Sequence, residues 1–542
     1  MRAEETEFEQ EWDAVIVGTG MGGATLGHSL AKSGWRVLFV ERGESHLLPE
    51  EGIRGDYAEM SYSSSAASAE SQSDVLRRAG RWTEYLEDRS SRRTKKHIPF
   101  IGMGTGGSSA LYGAAMERFF PEDFSPGQFY AGAPGVDVPD AWPLTYEELS
   151  PYYREAETLY RVRGAPDPLR PDQADAALLD PKPLSPANRE LFDLLGGKGL
   201  HPYQLPMACE FVPGCLGCQA FLCDKDCKND SVRVCLSPAL REHGASMLDR
   251  CEVKRLHADN GQVTAIDCDW RGRKIQLRAK LVILAAGALA TPEILLRSTS
   301  PEWPQGLANS SGMVGRNLMR HCIDLYALYP KRRPRDQEHV KEIAFNDYYV
   351  HQGRKFGSVQ SFGRLPPSKV LADEIQDQIR LGPLPGLAGA FGLIKPLVRP
   401  LLDRMLKDSL LIVTTLEDLP RDSNRVYPLP QGGIAIEYRL DASTVERIKE
   451  FRALMARMLS PMKFRLLKQA ENNERIAHAC GTCRMGVNAR TSVLDPHNRA
   501  HDLDNLYVVD ASFFPSSGGI NPSLTIAANA LRVARHLVQN ES

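Results

Sequence analysis

A histidine in a glycine-broken loop and, further along, an asparagine directly before a proline are the residues of this chain best suited to meet across one substrate oxygen. His478 stands in Ile476-Ala-His478-Ala-Cys-Gly481-Thr-Cys-Arg-Met-Gly486, and Asn521 follows Asp510-Ala-Ser-Phe-Phe-Pro515 in Gly518-Gly-Ile-Asn521-Pro522. Imidazole titrates near neutrality, so a neutral His478 can accept a proton and, once protonated, hold a developing negative oxygen. The Asn521 amide does not titrate usefully but can hold that same oxygen and fix its orientation. Each also has a plainer reading, as a satisfied structural histidine and as an Asn-Pro helix cap with the helix starting at Pro522. The two readings of Asn521 are compatible, because such a helix would turn its positive end toward the site.

The N-terminal stretch supplies a place for a large cofactor. Asp13-Ala-Val-Ile-Val-Gly18-Thr-Gly20-Met-Gly-Gly23 reads as a buried strand entering a glycine turn, residues 24–33 have helical composition, and a second apolar run ends at Glu41, eighteen residues after Gly23. Strand, turn, helix and acidic residue together form a dinucleotide fingerprint. Gly18 makes the turn, Gly20 admits pyrophosphate, Gly23 allows close packing and Glu41 takes ribose hydroxyls. An acidic residue there favours FAD or NAD over NADP.

Gly102-Met-Gly104-Thr-Gly106-Gly107-Ser108-Ser109 is a second glycine cluster, expected to hold the same cofactor from another side. Thr145 with Glu148 has capping-box spacing at a helix start. Strand-like runs at 253–256, 263–268, 275–277 and 281–284 lead into Gly287, with Thr291-Pro292 expected to open a helix, so the dinucleotide unit returns late in the chain and is discontinuous. Further strands are expected at 411–415 and 433–438 and a helix at 442–458. Residues 382–400, rich in Gly, Pro and Leu, suit a lid or a contact between copies, and residues 60–96 read as a mobile surface segment.

Composition sets the outer bounds. With 542 residues and 42% apolar side chains, two domains are expected, and a net charge of -2 offers no general attraction for nucleic acid or an anionic membrane. No uninterrupted apolar segment is long enough to span a bilayer. Five glutamates in the first eleven residues do not resemble an export signal, which points to the cytoplasm. Of eleven cysteines, six lie from Cys209 to Cys235; four thiolates at such spacings could hold zinc or an iron-sulfur cluster, but the spacings are unlike a paired zinc ribbon, so packed thiols or a disulfide are expected and no metal ligand is assigned. Cys480 and Cys483 are expected to be small packed thiols, and Glu417 a surface charge.

Taken in order, several stretches resemble the glucose-methanol-choline (GMC) oxidoreductase family, which uses FAD to oxidise alcohols. They are the N-terminal fingerprint, Gly106 to Ser109, Trp142-Pro143 through Tyr153, Gly287 through Ser298, Val314 to Leu318, Asn424-Arg425-Val426 and the C-terminal stretch, so the likeness runs through nearly the whole chain. It implies an α/β, overall α+β, architecture with a discontinuous Rossmann-like FAD-binding domain (residues 10–60, 97–125, 230–325 and 476–542). A substrate-binding domain with an antiparallel sheet and helices takes residues 126–229 and 326–475.

By position, the resemblance makes His478 the active-site histidine, Asn521 its companion and Asp510 the acidic residue beside the flavin. The cofactor set is Gly18, Gly20, Gly23, Glu41, Gly106, Gly107, Ser108, Asp510 and Pro522. Some relatives attach FAD through a histidine after the Gly-Gly-Ser element. Here that stretch is Ala110-Leu-Tyr-Gly113, so noncovalent FAD is expected. The expected reaction moves hydride from a CH-OH carbon to flavin N5 with His478 as general base, a sugar-like alcohol being weakly favoured and oxygen or another acceptor completing turnover. The alternatives are a flavin-containing lyase of the same fold, or the catalytic subunit of an electron-transfer complex with an iron-sulfur cluster.

Overall fold

Strand Glu11–Val17 lies inside a sheet, paired in parallel with Val37–Val40 on one side and Arg273–Leu284 on the other, and is buried on both faces from Ala14 to Val17. That explains its unbroken apolar run: a strand covered on both faces has no wet side for polar residues. The computed structural model describes residues 10–61, 72–215, 217–335, 338–364, 366–381, 386–472 and 478–540. Within these, the first sheet has seven strands in the order Ser246–Leu248, Val37–Val40, Glu11–Val17, Arg273–Leu284, Gln262–Trp270 and Cys251–Asp259, with Leu506–Val508 on the far side of Arg273–Leu284. The long strand Arg273–Leu284 does two jobs. Its first half closes an antiparallel meander, and its second half pairs in parallel with Glu11–Val17 and Leu506–Val508.

The expected runs at 275–277 and 281–284 are therefore one strand. The helix after it spans Gly287–Arg297, so it starts four residues before Thr291 and carries Pro292 inside. Helices Met21–Lys32, Ser523–Asn540 and Tyr146–Leu159 pack successively over the sheet. The last starts as its sequence predicts: Glu148 N–H donates to Thr145 Oγ1 at 3.2 Å, and Thr145 N–H to Glu148 Oε2 at 2.6 Å.

A second sheet of six strands is antiparallel throughout, in the order Lys463–Lys468, Cys322–Tyr329, Leu410–Leu416, Gly357–Ser361, Ile343–Phe345 and Tyr203–Gln204. Its faces divide by the two-residue period of a strand. Cys322, Tyr326 and Leu328 join the core with Phe451 and Met455 of helix Ala442–Leu459, whereas Ile323 and Leu325 line a cavity. The strand from Cys322 onward thus belongs to this sheet.

Two expectations for connecting segments change. Residues 62–71 lie outside the described residues, but the rest of the stretch read as a surface segment forms helix Gln72–Arg78 and two strands of a four-stranded sheet completed by Arg425–Pro428 and Ile434–Glu437. Trp82 in it is buried, with Arg42 stacked 4.0 Å from its ring. Residues 382–385 also lie outside, while the rest of the Gly, Pro and Leu-rich region is helix Leu387–Lys407, packed on Ser368–Leu381. Leu371, Ile375, Leu402 and Met405 of this helical pair line the cavity, while Leu393, Leu397 and Leu401 are exposed.

Candidate active site

One cavity of about 910 Å³ runs from the glycine turn of the first sheet to the open face of the second. Of the sequence-predicted residues, Gly18, Gly20, Glu41, Gly107, Ser108, His478, Asp510, Asn521 and Pro522 line it. Gly23 and Gly106 stand behind the lining.

At the nucleotide end the three fingerprint glycines have distinct geometries. Gly18 adopts φ +101°, and a Cβ on it would lie 2.4 Å from the Ala285 carbonyl oxygen. A Cβ on Gly23 would lie 2.2 Å from the Gly18 carbonyl oxygen, so close packing of turn on helix requires glycine there. Gly20 differs: its nearest neighbour would be the Gly106 carbonyl oxygen at 4.0 Å, leaving open space beside the backbone. The two glycine clusters are tied together, since Gly106 N–H donates to Thr19 Oγ1 at 3.1 Å and Thr19 Oγ1 donates to Glu41 Oε2 at 2.6 Å. Burial raises the Glu41 pKa, against the hydrogen bonds from Thr19 and Gly43.

Helices Met21–Lys32 and Ser523–Asn540 both begin at the cavity, and neither has an acidic residue in its first turn. Their unpaired N–H groups and positive ends suit a diphosphate and an electron-rich ring. Open space at Gly20 and two donor-rich helix starts fit the dinucleotide that the fingerprint implies. Asp510 is less available than its position suggests. Its Oδ2 accepts from Gly287 N–H at 2.9 Å and Thr291 Oγ1 at 2.5 Å, and its Oδ1 accepts from Ser512 N–H at 2.8 Å and from the Ser512 hydroxyl. It braces the helix start and the loop beside the cofactor space.

At the other end His478 sits at φ +57°, an uncommon conformation for a non-glycine residue. The loop around it is fixed by paired hydrogen bonds between Cys480 and Met319, 3.0 Å each way. Gly481 is needed for this approach, because a Cβ there would fall 2.5 Å from Met319 Cε and 2.6 Å from the Asn317 carbonyl oxygen. Residues 476 and 477 of the loop lie outside the described residues.

The result is a histidine pair absent from the sequence reading: His478 Nδ1 and His321 Nδ1 are 2.8 Å apart. His321 Nε2 meets only carbonyl oxygens, Ser517 O at 3.1 Å and Gly518 O at 3.0 Å, so it carries the proton and donates. In a neutral ring Nδ1 is then an acceptor, and the proton between the rings belongs to His478 Nδ1. His478 Nε2 is left as a lone pair, without a partner among the described residues. Burial keeps both rings neutral at pH 7, lowering the His321 pKa to about 4 and that of His478 well below 6.5, with the charges of His321 and Lys341 adding to the latter.

Asn521 is not the helix cap that its sequence suggests. The helix spans Ser523–Asn540, Ile526 N–H donates to the Pro522 carbonyl at 3.0 Å, and Asn521 Oδ1 accepts from Gln360 Nε2 at 2.7 Å. Gln360, on strand Gly357–Ser361, thereby frees the Asn521 amide N–H groups for another acceptor. Its own Oε1 is buried without a partner among the described residues.

Glu417 is not a surface charge. It is fully buried, 3.0 Å from Lys355 Nζ, which also pairs with Asp123 at 2.5 Å. Tyr349 donates to Asp123 at 2.7 Å and accepts from Gly519 N–H at 2.8 Å, so this ionic group holds the loop leading to Asn521. No spacing in the sequence links Asp123, Tyr349, Lys355 and Glu417. Cys480 and Cys483 are buried free thiols as expected.

Comparison with known proteins shows which family the chain belongs to. The family model described as GMC oxidoreductase matches residues 206–323 and, in a second part, 420–530. The chain is 30% identical to 6'''-hydroxyparomomycin C oxidase of Streptomyces lividus, over 98% of this chain and 92% of that protein. It is 27% identical to paromamine 6'-oxidase of Streptomyces fradiae, over 97% and 91%. A crystal structure of pyridoxine 4-oxidase from Mesorbium loti shares the fold, with a TM-score of 0.64 at 21% identity over 98% of this chain and 100% of that one. The chain belongs to the GMC oxidoreductase family, whose members are FAD-dependent enzymes that oxidise alcohol groups.

Proposed function

We propose that the cavity binds FAD noncovalently and oxidises the CH-OH group of a largely apolar alcohol, with His478 as general base and Asn521 as the orienting donor. When bound, the flavin supplies the hydride acceptor. His478 Nε2 takes the hydroxyl proton, and the bond from His478 Nδ1 to His321 holds the ring in the tautomer that leaves Nε2 free. Asn521, its carbonyl occupied by Gln360, donates through its amide to the same substrate oxygen. The single observation that carries this reading is the free imidazole nitrogen of His478 on the same cavity as the glycine cradle. The stretch Ala110 to Gly113 offers no histidine for a covalent link to the cofactor.

An apolar alcohol, rather than the sugar-like one favoured by sequence, is supported by the lining of the substrate end: Ile323, Leu325, Phe362, Leu402, Met405 and Leu466. Gln219, Gln360 and Thr415 on the same cavity can pair with a few hydroxyls, and the resemblance to paromamine 6'-oxidase supports the sugar-like alternative. Lys341 also lines this end with no ion pair among the described residues, its pKa lowered to about 8 by burial against the pull of Glu117, and it suits an electron-rich oxygen on the substrate.

Residues 10–60, 97–125, 230–321 and 478–540 compose the cofactor unit in this reading, and the second sheet with its helices composes the substrate unit. Eleven free thiols suit the reducing cytoplasm, and no helix among the described residues is long and apolar enough to cross a membrane. Anaerobic bleaching of the flavin across matched panels tests the reading. Aliphatic and aromatic alcohols are expected to reduce it faster than sugars and amino sugars. Faster reduction by sugars would overturn the substrate class, and no reduction by any alcohol would favour a lyase.

A further inference from the structure

Removing a proton and a hydride from an alcohol makes no use of the one buried cation at the substrate end of the cavity. Lys341 stands just before strand Ile343–Phe345 of the second sheet, is 8% exposed and lines the cavity. Its ammonium makes no hydrogen bond or ion pair among the described residues. The acid beside it in sequence is engaged elsewhere: Glu342 accepts from Ser185 N–H at 3.0 Å and Asn188 Nδ2 at 2.8 Å and pairs with Lys182 at 2.8 Å. Glu117 is the acid whose charge reaches Lys341, but it accepts from the Tyr203 hydroxyl, and burial raises its pKa to about 7. Half protonated at neutral pH, it does not balance the lysine.

The space around the ammonium is kept open. A Cβ on Gly113 would lie 3.2 Å from Lys341 Nζ and 2.8 Å from Gln219 Oε1, so glycine there lets an ammonium and an amide converge on one corner. Gln219 also lines the cavity and has no hydrogen bond among the described residues. Both side chains hang from fixed backbone: Ala220 N–H donates to the Leu111 carbonyl at 2.7 Å, and the N–H groups of Glu342 and Ile343 donate to Ser361 Oγ at 2.7 and 2.9 Å. The acids that line the same cavity, Glu41, Glu252, Glu293 and Asp510, all come from the cofactor unit. A substrate that fills the other end strips water from Lys341, and a buried charge without a partner is costly. The missing counter-ion has to arrive with the substrate.

We propose that Lys341 binds a carboxylate of the substrate, with the Gln219 amide as a second donor, which makes the substrate an apolar hydroxy acid. This rests on the assignment of His478 and Asn521 to the alcohol oxygen, and it adds an anionic group to the far end of the same molecule. The hydrocarbon of such a substrate meets Ile323, Leu325, Phe362 and Leu466. An ammonium-to-carboxylate hydrogen bond is charge-assisted and therefore stronger than one to a neutral carbonyl. The Lys341 charge also lowers the His478 pKa, so the two polar ends are close enough for one small molecule to bridge. An amino alcohol would bring a second cation to Lys341 and is disfavoured.

The test is anaerobic titration of the FAD-loaded full-length enzyme with ω-hydroxyalkanoates of increasing chain length, each beside its methyl ester and the ω-amino alcohol of equal length. At the best length the acid is expected to half-saturate flavin reduction at about 10–100-fold lower concentration than the ester, with the amino alcohol weakest. Lys341→Met should abolish that preference with FAD content and flavin spectrum unchanged, and Lys341→Arg should restore part of it. Alkanoates without a hydroxyl should perturb the flavin spectrum of the native enzyme but not of Lys341→Met, which separates the carboxylate site from oxidation. Alkanoate binding with no alcohol oxidised would overturn the oxidase reading and keep the carboxylate site. Oxidation of acid and ester with equal half-saturation at every length, without alkanoate binding, would overturn the carboxylate site alone. Loss of FAD, or an equal loss for every alcohol, in Lys341→Met would overturn it in favour of a cation that serves the cofactor. Should the variants fail to fold, the comparison of acid with ester on the native enzyme decides.

Discussion

At its nucleotide end the cavity is walled by backbone from segments that are short in sequence, chiefly Gly18 to Gly22 and Gly107 to Ser109. At its substrate end it is walled by side chains from segments far apart: Ile323 and Leu325, Lys341, Gln360, His478 and Asn521. Backbone walls depend on what is absent at a position, since Gly18 in the lining and Gly23 behind it both work by lacking a Cβ. Side-chain walls depend on what else is present, since the His478 tautomer is set by His321 and the Asn521 amide by Gln360. Substitutions at the two ends should therefore fail in different ways.

The largest effect is expected for His478→Ala, which should slow anaerobic flavin reduction by about 10²–10⁴-fold while FAD stays bound. Stopped-flow reduction with a flavin-content assay checks it, and an unchanged rate removes His478 from proton transfer. Next is Lys355→Met. It leaves Asp123 and Glu417 facing each other, fully buried and without their shared cation, and should cost about 3–5 kcal/mol of stability in a denaturant titration of the holoenzyme.

The two glycines sharpen the contrast within the nucleotide end. Gly18→Ala should impair folding itself, by about 1–3 kcal/mol or more, because positive φ and the Ala285 carbonyl both oppose a Cβ. Gly20→Ala should fold normally yet bind FAD about tenfold more weakly. Equal behaviour of the two variants would show that the open space at Gly20 is not used.

The smallest effect concerns His321, whose role is positioning. In the unaltered enzyme the lowered pKa of His478 keeps it neutral at pH 7, so reduction should be insensitive to pH there and fall only well below pH 6.5, where the base is protonated. His321→Phe should slow reduction by about tenfold and move that acid limb upward, since His321, once protonated in acid, helps depress the His478 pKa. A slower variant with an unmoved limb would leave His321 a purely structural part.

Much of the cofactor end was legible in the sequence. Strand, turn, helix and Glu41 form a local pattern, and Thr145 with Glu148 capped their helix as spacing required. Local signals failed where distant partners decide. Glu417 follows an apolar strand and precedes a turn, which reads as surface, yet Lys355 pairs with its carboxylate and Tyr130 donates to it in the core. Asn521 before Pro522 reads as a cap, yet a glutamine 161 residues away takes its oxygen. The cysteine spacings matched no familiar template, and the folded loop holds free thiols in contact rather than a disulfide.

The sequence by itself determined the dinucleotide cradle, because strand, turn and helix there depend on backbone conformation and side-chain period within a few residues, whereas the candidate histidine and the antiparallel second sheet were expected only from the family resemblance. Tertiary structure alone decided which nitrogen of His478 is free, which face of Asn521 is offered, how the buried charges are paired and how apolar the substrate end is. Those properties belong to contacts between segments 60 or more residues apart, and no local pattern in a chain encodes the chemistry of a neighbour that only folding brings near.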